Sequence, residues 1–255
     1  MSLLAEERKK VIAELIEKQG KVKVNDLAKD FDVSTETIRR YLEELENEKK
    51  LKKVYGGAIK LSEEKEEPAL FEREIIRIDE KQCIAHKAVS SIKKNDVIFI
   101  DEGSTTLQMV KPLCDCQNVT VITNSFPVAS LLISYSNKNQ FDGEVIFIGG
   151  SVRSKHFRSS GALAEQMAKE FFVDKAFIAI DGISADDGIT CYDLEKAVLS
   201  KIIIQNAKEV YVLADHSKIG SRANYKMVPI EKVDKIISNA DLPADWDVSC
   251  DWIQC

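Results

Sequence analysis

Two groups of residues in this chain have the types and spacing to do chemistry. The first runs from Val33 to Leu45. Ser34 is placed as a helix N-cap, its hydroxyl able to accept a backbone N–H two or three residues on. Ile38, Leu42 and Leu45 then share one face at helical spacing, leaving Thr35, Glu36, Thr37, Arg39 and Arg40 on the others. An arginine so presented forks onto phosphate oxygens or a guanine edge, and threonine bonds either phosphate or base. The second group is scattered, but each member follows a short apolar run. Asp101, Gly103, Ser104, Thr105 and Thr106 come after Val97–Ile100, and Thr123, Asn124 and Ser125 after Val119–Ile122. Gly149 and Gly150, with Arg153, Lys155 and Arg158 nearby, come after Val145–Ile148. Asp181 and Gly182 follow Ala176–Ile180, and Asp215, His216, Ser217 and Lys218 follow Val210–Leu213. Hydroxyls, glycine N–H groups, Arg and Lys suit a phosphate, while carboxylates and an amide suit sugar hydroxyls. A small anionic, hydroxyl-rich ligand fits that set.

These groups need elements to hold them. The five apolar runs read as buried strands of a parallel sheet. Helix-compatible segments lie around 105–112, 127–134, 161–172 and 194–207, which predicts an α/β layered domain with a mostly parallel sheet. Ligands of such sheets bind beyond the carboxyl ends of the strands. Upstream, Val11, Ile12, Leu15 and Ile16 mark an amphipathic helix stopped at Gly20. Lys21–Val24 alternates as a short strand, and Asp26–Phe31 forms a second helix before the turn into the Val33–Leu45 stretch. Two helices joined by so short a turn are a helix-turn-helix. Gly56 and Gly57 then predict a hairpin, flanked by Lys52, Lys53 and Lys60, so the head reads as a winged helix-turn-helix over residues 1–60. Polar, proline-bearing residues 61–68 read as a linker. One long amphipathic helix is expected over 69–92, burying Phe71, Ile75, Ile76, Ile78, Ile84, Ala85, Ala88 and Ile92, at the start of an α/β body over 69–255.

Composition restricts the partners. Net charge is −6, yet residues 1–60 hold fourteen Lys and Arg against twelve Asp and Glu, and the remainder twenty-two against thirty. A slightly basic head on an acidic body fits a local contact with double-stranded DNA rather than a coat over the whole surface. No apolar run approaches the ~20 residues that span a bilayer, so no membrane partner is expected. The six cysteines at 83, 114, 116, 191, 250 and 255 show no disulfide-like spacing, which points to a reducing cytoplasm. Cys114 and Cys116 lack a second ligand pair, and neither His86 nor His156 has a catalytic or metal-binding context; no cofactor or metal is expected.

The stretch Lys21–Leu42 followed by Val54, Gly56, Gly57 and Ala58 closely resembles the head of DeoR-family transcriptional regulators. It departs at Tyr41, where the family usually has Asp, and at Glu48, Lys49 and Lys50, where it usually has Gly. The resemblance runs on through Phe71 and Arg73, the Asp101–Thr105 loop, Thr123 and Asn124, Gly149 and Gly150, Asp174–Phe177, Asp181–Ile183, Gly188, Thr190, and Ala214 to Lys218. It implies a sensor domain similar to ribose-5-phosphate isomerases that detects a phosphorylated sugar. Gly103, Ser104, Thr105 and Thr106 would hold the phosphate, with Asp101, Asn124, Asp181 and Lys218 around the sugar. Isomerase chemistry is the rival reading, with Asp181, Glu195 and Lys218 in the catalytic roles. Ser184, however, stands where such enzymes carry a second Asp, so no enzyme activity is expected. The sum is a repressor that works as a dimer or tetramer on paired operator half-sites.

Overall fold

The computed structural model describes residues 5–48, 50–54, 56–60 and 70–255, and divides into two compact units, Met1–Glu66 and Glu67–Cys255. The 61–68 linker and Tyr55 lie outside the described residues, as do the side chains of Lys60 and Phe71.

In the first unit α1 (Ala5–Gln19), β1 (Lys21–Lys23), α2 (Val24–Asp30) and α3 (Thr35–Asn47) precede a hairpin of β2 (Leu51–Val54) and β3 (Gly57–Lys60). β3 lies between β1 and β2, antiparallel to both. A Cβ on Gly57 would come within 2.0 Å of the Val22 carbonyl oxygen, so only glycine lets the wing close on β1. Ile12, Ile16, Leu27, Ile38, Leu42 and Leu45 bury one compact core. Tyr41 joins it at 3% exposure, so the residue that departs from the family pattern has become a core residue.

The second unit contains α4 (Leu70–Glu74), α5 (Ile78–Val89), β4 (Val97–Ile100), α6 (Val110–Leu113), β5 (Thr120–Thr123), α7 (Phe126–Asn137), β6 (Glu144–Phe147), β7 (Ser151–Arg153), β8 (Arg158–Ser160), α8 (Ala162–Ala168), β9 (Val173–Ala179), β10 (Gly182–Ser184), β11 (Gly188–Cys191), α9 (Leu194–Gln205), β12 (Ala207–Ala214), β13 (Tyr225–Val228), β14 (Lys235–Ser238) and β15 (Asp251–Gln254). Among the described residues seven strands form one wholly parallel sheet in the order β15-β14-β12-β9-β4-β5-β6. Core side chains cover both of its faces, which is why its strands are apolar throughout instead of alternating. The chain builds outward from β4 through β5 to β6, then continues on the opposite side with β9. The order therefore reverses between β4 and β9, and ligands of such sheets bind beyond the carboxyl ends of the strands at such a reversal.

Two expectations need correcting. The single helix over 69–92 is two helices, because Arg77 takes a left-handed conformation (φ 56°) between α4 and α5. Ile75 is consequently 69% exposed instead of buried. The break has a visible compensation: Lys81 Nζ donates to the Arg73 carbonyl oxygen at 2.6 Å, satisfying an acceptor near the end of α4. The helix expected around 105–112 is a 3-10 turn over Thr106–Met109 followed by the short α6. The tail with Trp246 and Trp252 adds β15 to the sheet edge, where the two indoles meet edge to face at 6.2 Å.

Candidate functional site

In the head, α3 is fixed by its N-cap: Ser34 Oγ accepts the Thr37 N–H at 3.1 Å and shares a hydrogen bond with Thr37 Oγ1 at 2.9 Å. With Ile38, Leu42 and Leu45 facing inward, Arg39 and Arg40 stand out, their side chains 62% and 68% exposed. Their tethers are loose, Arg39 to Glu36 at 3.2 Å and Arg40 to Glu44 at 3.9 Å, and the Arg40 guanidinium lies over the Tyr41 ring at 5.7 Å. Exposed pairs of this kind are worth about 0–1 kcal/mol, so phosphate oxygens can replace the carboxylates at little cost. Thr35 is half-buried in the first turn of α3. The two wing lysines differ from the expected open basic flank. Lys53 reaches back to Glu43 at 3.6 Å while its N–H donates to Glu46 Oε1 at 2.7 Å, and Lys52 is half-buried. The wing is thereby pinned to α3, with a cleft of about 530 Å³ between them that Glu36, Arg39, Glu43, Lys53 and Gly56 line.

In the second unit the loop after β4 is the structural centre. A Cβ on Gly103 would meet the Ala179 Cβ at 2.4 Å, so glycine lets the loop press against β9 at the strand-order reversal. Asp101, 1% exposed, holds the loop from within: one carboxylate oxygen accepts from the Glu102 N–H at 2.9 Å. The other takes the Ala179 N–H at 3.3 Å and the Ser200 hydroxyl at 3.4 Å. Burial pushes its pKa up to about 7 against the pull of Lys196. Thr106 donates its hydroxyl to the carbonyls of Asp101 and Gly103, at 2.7 and 3.1 Å. Asp101 and Thr106 are thus loop-builders, while Ser104 and Thr105 are nearly buried, at 6% and 7% exposure. No long helix follows this loop, so any anion held there would depend on side-chain charge and not on a helix dipole.

That charge is present. Glu102, fully buried, is met by Lys196 Nζ at 3.3 Å, Arg158 Nη1 at 3.7 Å and Arg73 Nη2 at 3.8 Å. Arg158 also pairs with Asp193 at 2.7 Å. Asp181 lies in the same field. Burial raises its pKa, but Lys196, Lys218 and Arg73 outweigh that and hold it below the usual carboxylate range. Lys218 Nζ is 3.9 Å from Asp181 Oδ1, too far for a hydrogen bond, and that oxygen, buried, has no hydrogen-bond partner among the described residues. Asn124 donates its amide to the Ser159 carbonyl at 3.1 Å, and its buried Oδ1 likewise has no partner among the described residues. Two buried acceptors beside convergent cations suit a ligand that brings O–H donors and an anion together.

The remaining expected residues are engaged in other contacts. Arg153, on β7, is gripped at two points by Glu195, with Nε to Oε2 at 2.7 Å, and its Nε also reaches Ser160 Oγ at 3.2 Å. It lines a cleft of about 520 Å³ with Tyr192, Glu195 and Tyr225. The same bidentate pair spends the Glu195 carboxylate. Gly150 serves packing: a Cβ there would lie 2.7 Å from the Ser160 carbonyl oxygen, and Gly149 has open space around it. His216 pairs with Glu80 on α5 at 2.9 Å. Those two and Asp215 bring possible ligand atoms within 4.8 Å of one another. Arg77, Lys81 and Lys218 crowd Asp215 with positive charge, however, which disfavours a metal cation. Lys196 and Glu102 were not among the expected site residues. The available signal for Lys196 was a lysine within the apolar positions Ala197, Leu199, Ile203 and Ile204 of one helix.

Comparison with known proteins places both units. Residues 8–64 match the DeoR-like helix-turn-helix domain and residues 76–240 the DeoR C terminal sensor domain. The HTH-type transcriptional regulator YulB of Bacillus subtilis, whose role is uncharacterized, is 34% identical across 94% of this chain and 91% of its own. IolR, an HTH-type transcriptional regulator from the same organism, is 33% identical across 93% and 92%. The glycerol-3-phosphate regulon repressor of Escherichia coli is 31% identical across 91% and 90%. Among solved structures, ribose 5-phosphate isomerase A from Methanocaldococcus jannaschii aligns with 56% of this chain and 54% of its own, at 23% identity and a TM-score of 0.40. No helix among the described residues is long and apolar enough to cross a membrane.

Proposed function

The chain belongs to the DeoR family of transcriptional regulators, and on that premise we propose that it is a repressor whose grip on operator DNA is controlled by a phosphorylated sugar. It is a DNA-binding regulator and not an enzyme. The finer reading assigns residues 1–60 to the operator, 61–68 to the joint and 69–255 to the effector. Ser34, Thr35, Thr37, Arg39, Arg40, Lys52 and Lys53 form the DNA-facing set. Arg73, Ser104, Thr105, Asn124, Arg158, Asp181, Lys196 and Lys218 form the effector set.

One observation carries the effector assignment. Buried Arg158 and Lys196 and half-buried Arg73 and Lys218 converge on Glu102 and Asp181 at the strand-order reversal, beside Asn124 Oδ1 and Asp181 Oδ1, acceptors with no partner among the described residues. Phosphate answers the cations and sugar hydroxyls answer the acceptors. The relative named for the glycerol-3-phosphate regulon supports a small phosphorylated polyol as the ligand class and repression as the sign. Control of DNA affinity requires the ligand to favour one arrangement of the heads over another, and paired half-sites require a dimer or tetramer.

A thermal-shift screen of sugar phosphates against their unphosphorylated parents tests this. At least one phosphate ester should raise the melting temperature and shift operator retention in gels while its parent sugar does neither. Equal shifts from the parent sugars, or none from any ester, would overturn the assignment. Lys218→Ala should blunt the response and leave operator binding in place.

A further inference from the structure

Glu102 sits at the centre of the cation cluster, although a phosphate ester needs no carboxylate there. Its side chain is fully buried. Lys196 Nζ and Arg158 Nη1 lie 3.3 and 3.7 Å from its Oε1, and Arg73 Nη2 lies 3.8 Å from its Oε2. Charge-assisted hydrogen bonds run at about 2.7–2.9 Å. These contacts are all longer, and neither carboxylate oxygen accepts a hydrogen bond among the described residues. The carboxylate is thus held by the field of the cations and not by directed bonds. Its backbone is held differently. The Glu102 N–H donates to Asp101 Oδ1 at 2.9 Å, and Lys196 Nζ donates to the Glu102 carbonyl at 3.4 Å. On either side the Thr106 hydroxyl ties the carbonyls of Asp101 and Gly103. What can yield is the side chain, which turns about its own single bonds.

We propose that Glu102 is a built-in counter-ion, which holds the anion site when no effector is bound and is displaced by the effector's phosphoryl group. This rests on the effector assignment above. Cations as deeply buried as Arg158 and Lys196 need a negative partner whether or not a ligand is present, because an unpaired buried charge is strongly destabilising. A carboxylate carried on the adjoining loop supplies it. A phosphate dianion has twice the charge and more oxygens, so it can bond several of these cations at once, where the tethered carboxylate bonds none. It also repels Glu102, since two anions in one buried cluster disfavour each other. The exchange sets a threshold: part of the phosphate's attraction goes into displacing Glu102, which lowers the apparent affinity of the site.

A permanent structural ion cluster would behave differently. Removing Glu102 would then destabilise the second unit, and added phosphate would act on variant and wild type alike. If the carboxylate is a displaceable occupant, its removal opens the site instead. Glu102→Gln keeps the shape of the side chain, leaves the cations without their anion, and lets a free phosphate ion take the vacated role.

Titration calorimetry of the full-length chain with inorganic phosphate, in a buffer whose other anion is chloride, provides the test, paired with thermal melts. Glu102→Gln should bind phosphate at least about tenfold more tightly than wild type and gain more melting temperature from it. Glu170→Gln removes one charge at an exposed position and should bind as wild type does. A Glu102→Gln chain that folds only when phosphate is present also meets the expectation, because the anion then replaces the missing partner. Wild-type affinity or no phosphate binding in Glu102→Gln, equal tightening in Glu170→Gln, or a Glu102→Gln chain left unfolded by phosphate would each overturn the proposal. The effector assignment is judged separately, by the response of wild type to phosphate esters. A wild type that responds to an ester, with no gain in Glu102→Gln, would refute the counter-ion and leave the site standing.

Discussion

Lys81 connects a residue's proton equilibrium to effector binding. Burial lowers its pKa to about 8, against support from Asp215, and Arg73, Lys218 and Arg77 press it the same way as burial. A bound phosphate dianion would favour the ammonium form, so binding above that pH takes up a proton. Affinity for a phosphorylated effector should therefore hold below pH ~8 and fall by up to about tenfold per unit above it. Titration calorimetry from pH 7 to 9.5 would show this, and Lys81→Arg should remove the fall because a guanidinium stays charged. The sign for folding is the opposite. Between pH 8 and the ordinary lysine value the unfolded chain holds the extra proton, so Lys81 makes the fold more stable as pH rises there. Gly103 offers a check that involves no charge. With Ala179 Cβ 2.4 Å from where a side chain would begin, Gly103→Ala should lower the stability of the second unit by about 1–3 kcal/mol in a urea titration.

The element proposed to meet DNA is α3, and its energetics separate cleanly from those of the sensor. Arg39 and Arg40 stand outside the head's core, tethered by exposed carboxylates and, for Arg40, by the face of the Tyr41 ring. Arg39→Ala and Arg40→Ala should each weaken operator binding by roughly tenfold and reduce the salt dependence by about one counterion. Both variants should bind sugar phosphate normally; gel shifts indistinguishable from wild type in both would refute the interface. The N-cap at Ser34 and the face formed by Ile38, Leu42 and Leu45 were legible in the residues alone, because capping and 3.6-residue periodicity are local. The α4–α5 break was not. Ile75, Ile76 and Ile78 imitate a continuing apolar face, while the left-handed turn at Arg77 accompanies ion pairs from Arg73 to Glu102 and from Arg77 to Asp215, partners distant in sequence.

At the scale of the whole molecule, the proposed regulation assigns coupling of the two units to residues 61–68. A flexible insert there should leave operator affinity and effector affinity measurable separately while abolishing the effect of one on the other. Fluorescence anisotropy on labelled operator, with and without the effector found in the thermal screen, would read this directly. Full coupling in the insertion variant would show that the joint transmits nothing. Sedimentation of the chain alone and on a two-half-site operator would give the assembly that carries the coupling.

Chemical type and rough location were in the chain from the start. Five apolar runs each followed by glycine, hydroxyl or charge predicted a parallel sheet with its ligand groups at one edge, because strand length, burial and strand-end polarity are written locally. Which of those groups converge was decided only by the fold. Arg153 and Arg158 are five residues apart in one hairpin, yet the first is tied to Glu195 beside a separate cleft while the second is buried against Glu102 and Asp193. Lys196 comes to Glu102 from 94 residues away. Pairings across such distances depend on strand order, which reverses between β4 and β9. No local pattern of residues encodes where that reversal falls.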